Sequence, residues 1–210
     1  MKKAILLSTL LLAFLLTACN RTPASAPNGN VTPTTTTAPL VSESNGVTYQ
    51  NSHFGITFTP ADGWDLFDTD EMADSSLPTL PIEAGESYVD ALARVQTFYD
   101  MYALHEESDG TIALQVENIP ALYDFTPTAE EYRAIQISMF EGAPNLTYES
   151  FDATVDGQTH PALKVLWGAG EEVRTDVFVY LSKGNYMLSI KLSSFDGDHA
   201  AEWLSWFELL

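Results

Sequence analysis

Apolar and polar positions alternate with a period of two over much of the chain, and glycine-containing dipeptides break the alternation at short intervals. Val47, Tyr49, Phe54, Ile56 and Phe58 form the first such run, which Pro60 stops because it lacks the N–H that a strand ladder needs. Met101–Glu107 and Thr111–Asn118 flank Asp109-Gly110, a dipeptide favoured in type I′ hairpins, and Asp156-Gly157 stands likewise between Tyr148–Val155 and Thr159–Trp167. Further on, Gly168-Ala169-Gly170 and Lys183-Gly184 join Ala162–Trp167, Glu171–Ser182 and Asn185–Ser194 into a meander. Hairpins in this number predict an antiparallel sheet.

Helical spacing is rarer. Thr128-Ala129-Glu130-Glu131 is a capping box that opens a helix with Tyr132, Ile135, Met139 and Phe140 on one face. A second helix, started by Asp198, carries Trp203, Trp206, Phe207 and Leu210 at i, i+3, i+4 and i+7. A weaker one runs over Ser87–Gln96 through Tyr88, Leu92 and Val95. Together these predict an α+β fold, a mainly antiparallel sheet flanked by helices.

Register adds a candidate binding site. A two-residue Lys183-Gly184 turn would set Asp176 opposite Lys191, and a three-residue Gly168–Gly170 loop would set Lys164 opposite Arg174. Lys164, Arg174 and Lys191 would then share one face with Asp176, Phe178, Tyr180 and Met187. That placement reads either as salt bridging on a half-solvated sheet or as a local site for an anion or partner.

Before residue 47 the pattern is different. Lys2 and Lys3 precede an apolar run, Ala4 to Leu16, too short to span about 30 Å of hydrocarbon; it reads as a secretory signal, residues 1–18. Leu16-Thr17-Ala18-Cys19 then resembles the lipobox of bacterial lipoproteins. The resemblance implies a diacylglyceryl group on the Cys19 thiol, cleavage before Cys19, and anchoring of the mature chain to the outer, extracytoplasmic face of the cell membrane. Residues 20–46 hold prolines and threonines but no aromatic residue, and read as a disordered tether after Cys19. Residues 47–210 are left as a single globular domain.

Charge narrows the partners. Acids outnumber bases 29 to 9, a formal charge of −20, and residues 47–210 hold 28 of those acids against six bases. Nucleic acid is excluded as a partner, since phosphate contacts need a basic face. The single cysteine rules out an internal disulfide framework and a Cys-cluster metal site. No G-x-S-x-G is present, and His53, His105, His160 and His199 are dispersed, each reading as a strand-edge or turn residue rather than a catalytic one. No catalytic residue is assigned, and no cofactor is expected.

The densest acids, Asp62 to Asp74 around Trp64 and Phe67, read as a solvated loop with acids at a helix N-terminus. The alternative is a weak Ca²⁺ or Mg²⁺ site built from Asp65, Asp68, Asp70 and Asp74, although neither the Asp65–Ser76 nor the Asp68–Thr79 frame satisfies the EF-hand template.

Tyr49 to Pro60 followed by Gly63-Trp64, with the Asp156-Gly157 turn, the Ser182-Lys183-Gly184-Asn185-Tyr186 turn and the late Phe207-Glu208-Leu209, resembles the PsbP-like α/β/α sandwich family. That family includes the photosystem II extrinsic subunit, a nuclear-import factor that binds a small GTPase, and many bacterial lipoproteins. The resemblance implies a non-enzymatic binding or assembly module, its partner an envelope protein or ligand. The reading from another class is an extracytoplasmic hydrolase that uses paired carboxylates.

Overall fold

Turn chemistry sets the layout. Asp156 and Gly157 have φ of 45° and 75°, both positive as a type I′ turn demands, and Val155 pairs with Gln158 across them. At the next tight turn Gly184 carries the positive φ (59°) in the first central position, as a II′ turn requires, so the turn is Gly184-Asn185 and Lys183 faces Tyr186. Asp109-Gly110 instead ends a longer loop: Leu104 pairs with Thr111, and the His105 N–H reaches the Gly110 carbonyl at 2.8 Å. Gly110 is needed there for another reason, because a Cβ on it would lie 3.0 Å from the Trp203 ring.

The computed structural model describes residues 42–105, 107–168 and 173–210; Cys19, the signal segment and most of the tether lie outside them. In chain order come β1 (Ser42–Ser44), β2 (Tyr49–Asn51), β3 (Ile56–Phe58), β4 (Trp64–Leu66), α1 (Thr69–Asp74) and α2 (Tyr88–Arg94). Then follow β5 (Thr97–His105), β6 (Thr111–Asn118), α3 (Ile119–Leu122) and α4 (Ala129–Phe140). The rest are β7 (Leu146–Val155), β8 (Gln158–Trp167), β9 (Arg174–Lys183), β10 (Tyr186–Ser194), α5 (Ala200–Leu204) and β11 (Phe207–Leu209). Two antiparallel sheets result, a seven-stranded one in the order β4-β5-β6-β10-β9-β8-β7 and a four-stranded one in the order β1-β2-β3-β11. The fold is α+β. One face of the large sheet packs against the small sheet, α2 and α5 around Phe58, Met101, Ile190 and Phe207; the other packs against α4 around Tyr132, Val165 and Met187.

Three sequence expectations are corrected. Ser42–Ser44, placed in the tether, pairs with β2, and the Ser42 hydroxyl donates to Asp100 at 2.8 Å. The terminal helix stops at Leu204, because residues 207–209 find the free edge of β3 and pair Phe207 with Phe58; burying each of these rings is worth about 1.5–3 kcal/mol. On α4 the capping box forms in full, but Tyr132, Ile137 and Phe140 face the sheet and Met139 is exposed.

Candidate functional site

The acidic loop is occupied with local structure. One Asp68 carboxylate oxygen accepts from the backbone N–H groups of Asp70 and Glu71 at 2.9 Å each, and Glu71 accepts from the Asp68 N–H at 2.8 Å, which caps α1. Asp70 lies in the first turn, where its charge suits the helix dipole, while Asp65 on β4 and Asp74 at the end of α1 are exposed. Among the described residues, no three His, Cys, Asp or Glu side chains come together to hold a metal ion.

The basic trio is divided. Trp167 pairs with Arg174 rather than with Glu171, so the β8–β9 register moves by three residues, an odd number, and Lys164 goes to the opposite face from Arg174. There it binds Asp198 at 2.7 Å. The β9–β10 register moves by two, an even number, which leaves Arg174, Asp176 and Lys191 on the α4 side, with Lys191 opposite Phe178. Arg174 holds the nearly buried Asp176 at 2.7 Å and lies 5.4 Å from the centroid of Trp167. The Lys191 ammonium donates to the Tyr99 hydroxyl at 3.1 Å and sits 5.3 and 5.7 Å from the centroids of Tyr99 and Phe178.

The concave site lies elsewhere, between the start of β4, the β5–β6 loop and α5. It is an open cleft of about 220 Å³. Its aromatic wall is continuous: Trp64 meets Trp203 edge to face at 4.8 Å, Trp206 at 5.6 Å and His105 at 5.3 Å. Trp64 and His105 are brought together because they are register partners on β4 and β5. Trp203 is only 5% exposed, and the His199 imidazole lies flat on it, 5.3 Å between centroids at 13°. His199 Nε2 sits 3.0 Å from an Asp196 carboxylate oxygen and its Nδ1 3.8 Å from Glu202. Asp62 and Ser108 complete the mouth.

Both imidazoles are already engaged. His105 Nδ1 accepts from the backbone N–H groups of Glu107 and Ser108 at 3.3 and 3.2 Å, so in its neutral form this ring keeps its proton on Nε2. Among the described residues, no hydroxyl hydrogen-bonds to an imidazole. The Asp196 carboxyl is held below its ordinary range, first by the Ser194 hydroxyl. The sequence reading passed over this site. Its trace there is a spacing of three through Asp196, His199, Glu202 with Trp203, and Trp206, which the tryptophan pattern alone reads as a buried helix face.

Two other acids are pushed the opposite way. Asp100, in the bulge that shifts register between Tyr99 and Met101, has its carboxyl raised by burial, against the pull of four donors. These are the hydroxyls of Tyr49, Ser42 (2.8 Å) and Tyr88 (3.1 Å) and the Asn51 amide (2.6 Å). Glu117 is also raised by burial; it lies under α4 and accepts from Gln115 at 3.0 Å. Neither residue reaches the cleft.

No protein-family model matches the chain, and no curated protein sequence matches it. Fifteen chains of solved structures are similar to it, two of them as follows. The solution structure of cyanobacterial PsbP from Synechocystis sp. PCC 6803 aligns at 17% identity over 78% of this chain and 91% of that one, with a TM-score of 0.44. The crystal structure of LpqN of Mycobacterium tuberculosis, involved in cell envelope biogenesis, aligns at 12% identity over 77% and 79%, with a TM-score of 0.37.

Proposed function

We propose that this protein is a lipid-anchored, extracytoplasmic lipoprotein that binds a ligand or partner and carries out no chemistry of its own. The observation that carries the reading is the tryptophan cleft: its wall is aromatic and its two imidazoles are engaged rather than poised. Imidazoles that act as general bases hold a hydroxyl or water, whereas here one ring accepts two backbone N–H groups and the other is stacked on Trp203 with a carboxylate oxygen at 3.0 Å. Hydrolysis by paired carboxylates would need one acid held protonated near neutral pH, and the two described acids that burial raises, Asp100 and Glu117, lie outside the cleft. Anchoring rests on Leu16-Thr17-Ala18-Cys19, and two acyl chains suffice for a stable hold where one does not.

Two measurements test this. The mass of the mature N-terminal peptide should show a diacylglyceryl adduct on Cys19, and an unmodified peptide from envelope fractions overturns the anchor. Intact protein used as bait on membrane extract should retain a partner that Trp206→Ala releases. Turnover of ester or glycoside substrates that Asp196→Asn abolishes would replace binding by catalysis.

A further inference from the structure

From the make-up of the cleft we infer the chemical class of its ligand: a small, freely diffusing organic ammonium ion, quaternary or primary. The inference rests on the reading of the cleft as a binding site. Indole faces carry negative potential and attract a cation within about 6 Å of the ring centroid, tryptophan most strongly of the aromatic residues. Three indoles border this one space, and three carboxylates, Asp62, Asp196 and Glu202, stand at its mouth.

Among the described residues, no lysine or arginine lines the cleft to neutralise those acids. Five of the domain's six bases are committed at other places, Arg94 to Glu86, Arg133 to Glu130 and Asp152, Lys164 to Asp198, Arg174 to Asp176 and Lys191 to Tyr99, and the sixth, Lys183, stands at the end of β9, outside the cleft lining. The ionisable nitrogen group set against Asp196 and Glu202 is His199, and it already shows how the cleft receives a flat nitrogen heterocycle: stacked on Trp203 between the two carboxylates. Trp64 and Trp206 remain, both half-buried, with their ring planes 74° apart. An ammonium group seated there meets π faces on its alkyl or N–H shell and carboxylates beyond, whereas an anion meets only like charge.

Size agrees. A cavity of about 150 Å³ holds benzene, and drug-sized ligands occupy about 300–1,000 Å³, so a cleft of about 220 Å³ suits a head group or a small ion.

The test uses the full-length protein with Trp167→Phe, which removes the one indole outside the cleft, and reads tryptophan fluorescence at constant ionic strength. Choline and tetramethylammonium should give saturable changes, and the neutral isostere 3,3-dimethylbutan-1-ol none. Asp62→Asn and Glu202→Gln alter exposed side chains and leave the core intact; together they should weaken choline about tenfold, the scale of two exposed charge pairs. Equal binding of choline and its neutral isostere overturns the inference and leaves the cleft as an apolar binding site. Binding to phosphatidylcholine vesicles without binding of free choline overturns the free ion as ligand. Silence of every ammonium probe, with a partner still retained from membrane extract through Trp206, overturns the inference and spares the binding reading.

Discussion

Removing the Asp100 carboxyl should loosen the point where β1 and β2 join the fold. In Asp100→Ala the Tyr49 hydroxyl, on a side chain that is 0% exposed, loses the partner it has, and the Tyr88 hydroxyl loses its acceptor while still accepting from Asn51 at 2.9 Å. Ser42 is half-buried and can turn to water. Each orphaned buried donor costs about 1–3 kcal/mol, so two cost about 2–6 kcal/mol. Release of the carboxyl's own burial penalty offsets part of this, leaving a net loss of about 2–4 kcal/mol. For a domain of this size that lowers Tm by about 4–16 °C.

Urea unfolding followed by circular dichroism measures the loss, and a double-mutant cycle tests its cause. Tyr49→Phe alone should cost about 1.5–3 kcal/mol, because it deletes a hydrogen bond to a carboxylate. In the Asp100→Ala background the same change should stabilise, because it deletes an orphan. The reasoning is refuted if Tyr49→Phe destabilises equally in both backgrounds. The sign with pH follows from the raised carboxyl: its contribution is full below the ordinary value of 3.8 and declines as pH rises through the folded value. The gap between the native chain and Asp100→Ala should therefore be widest in acid.

Two further outcomes are expected. Gly110→Ala sets a Cβ 3.0 Å from Trp203 and should cost about 1–3 kcal/mol by overpacking, together with a shift in tryptophan emission, measured by thermal unfolding and fluorescence. Glu86, bonded bidentately to Arg94 and held at about 2 instead of 4.5, contributes stability above pH 4.5 that is lost as pH falls toward 2; Glu86→Gln should flatten that limb of the acid titration, and high salt should shrink the difference.

The strands of the meander and the capping box of α4 were legible in the sequence because alternation and turn residues agree there. Register was legible only where the turn was short. At Asp156-Gly157 two positive φ values leave one solution, whereas the β8–β9 loop could close at several lengths, and an odd error of three moved Lys164 through the sheet. The end of the chain misled for a physical reason: Trp203, Trp206 and Phe207 suit a helix face equally well, and only the distant edge of β3 turns residues 207–209 into a strand. The cleft was illegible because its parts come from β4, the β5–β6 loop and the segment around α5, and because tryptophans at helical spacing read first as core.

The placement of β11 also orders assembly in time. Its partner β3 is separated from it by every strand of the large sheet, so Phe207 and Phe58 meet only after a loop of about 150 residues has closed. Synthesis delivers β3 long before β11, and until β11 arrives that edge of β3 stays unpaired and Phe58 lacks the Phe207 ring it packs on. Completion of the small sheet by β11 is thus a late event, slow by topology, and the core around Phe58 stays unfinished until then.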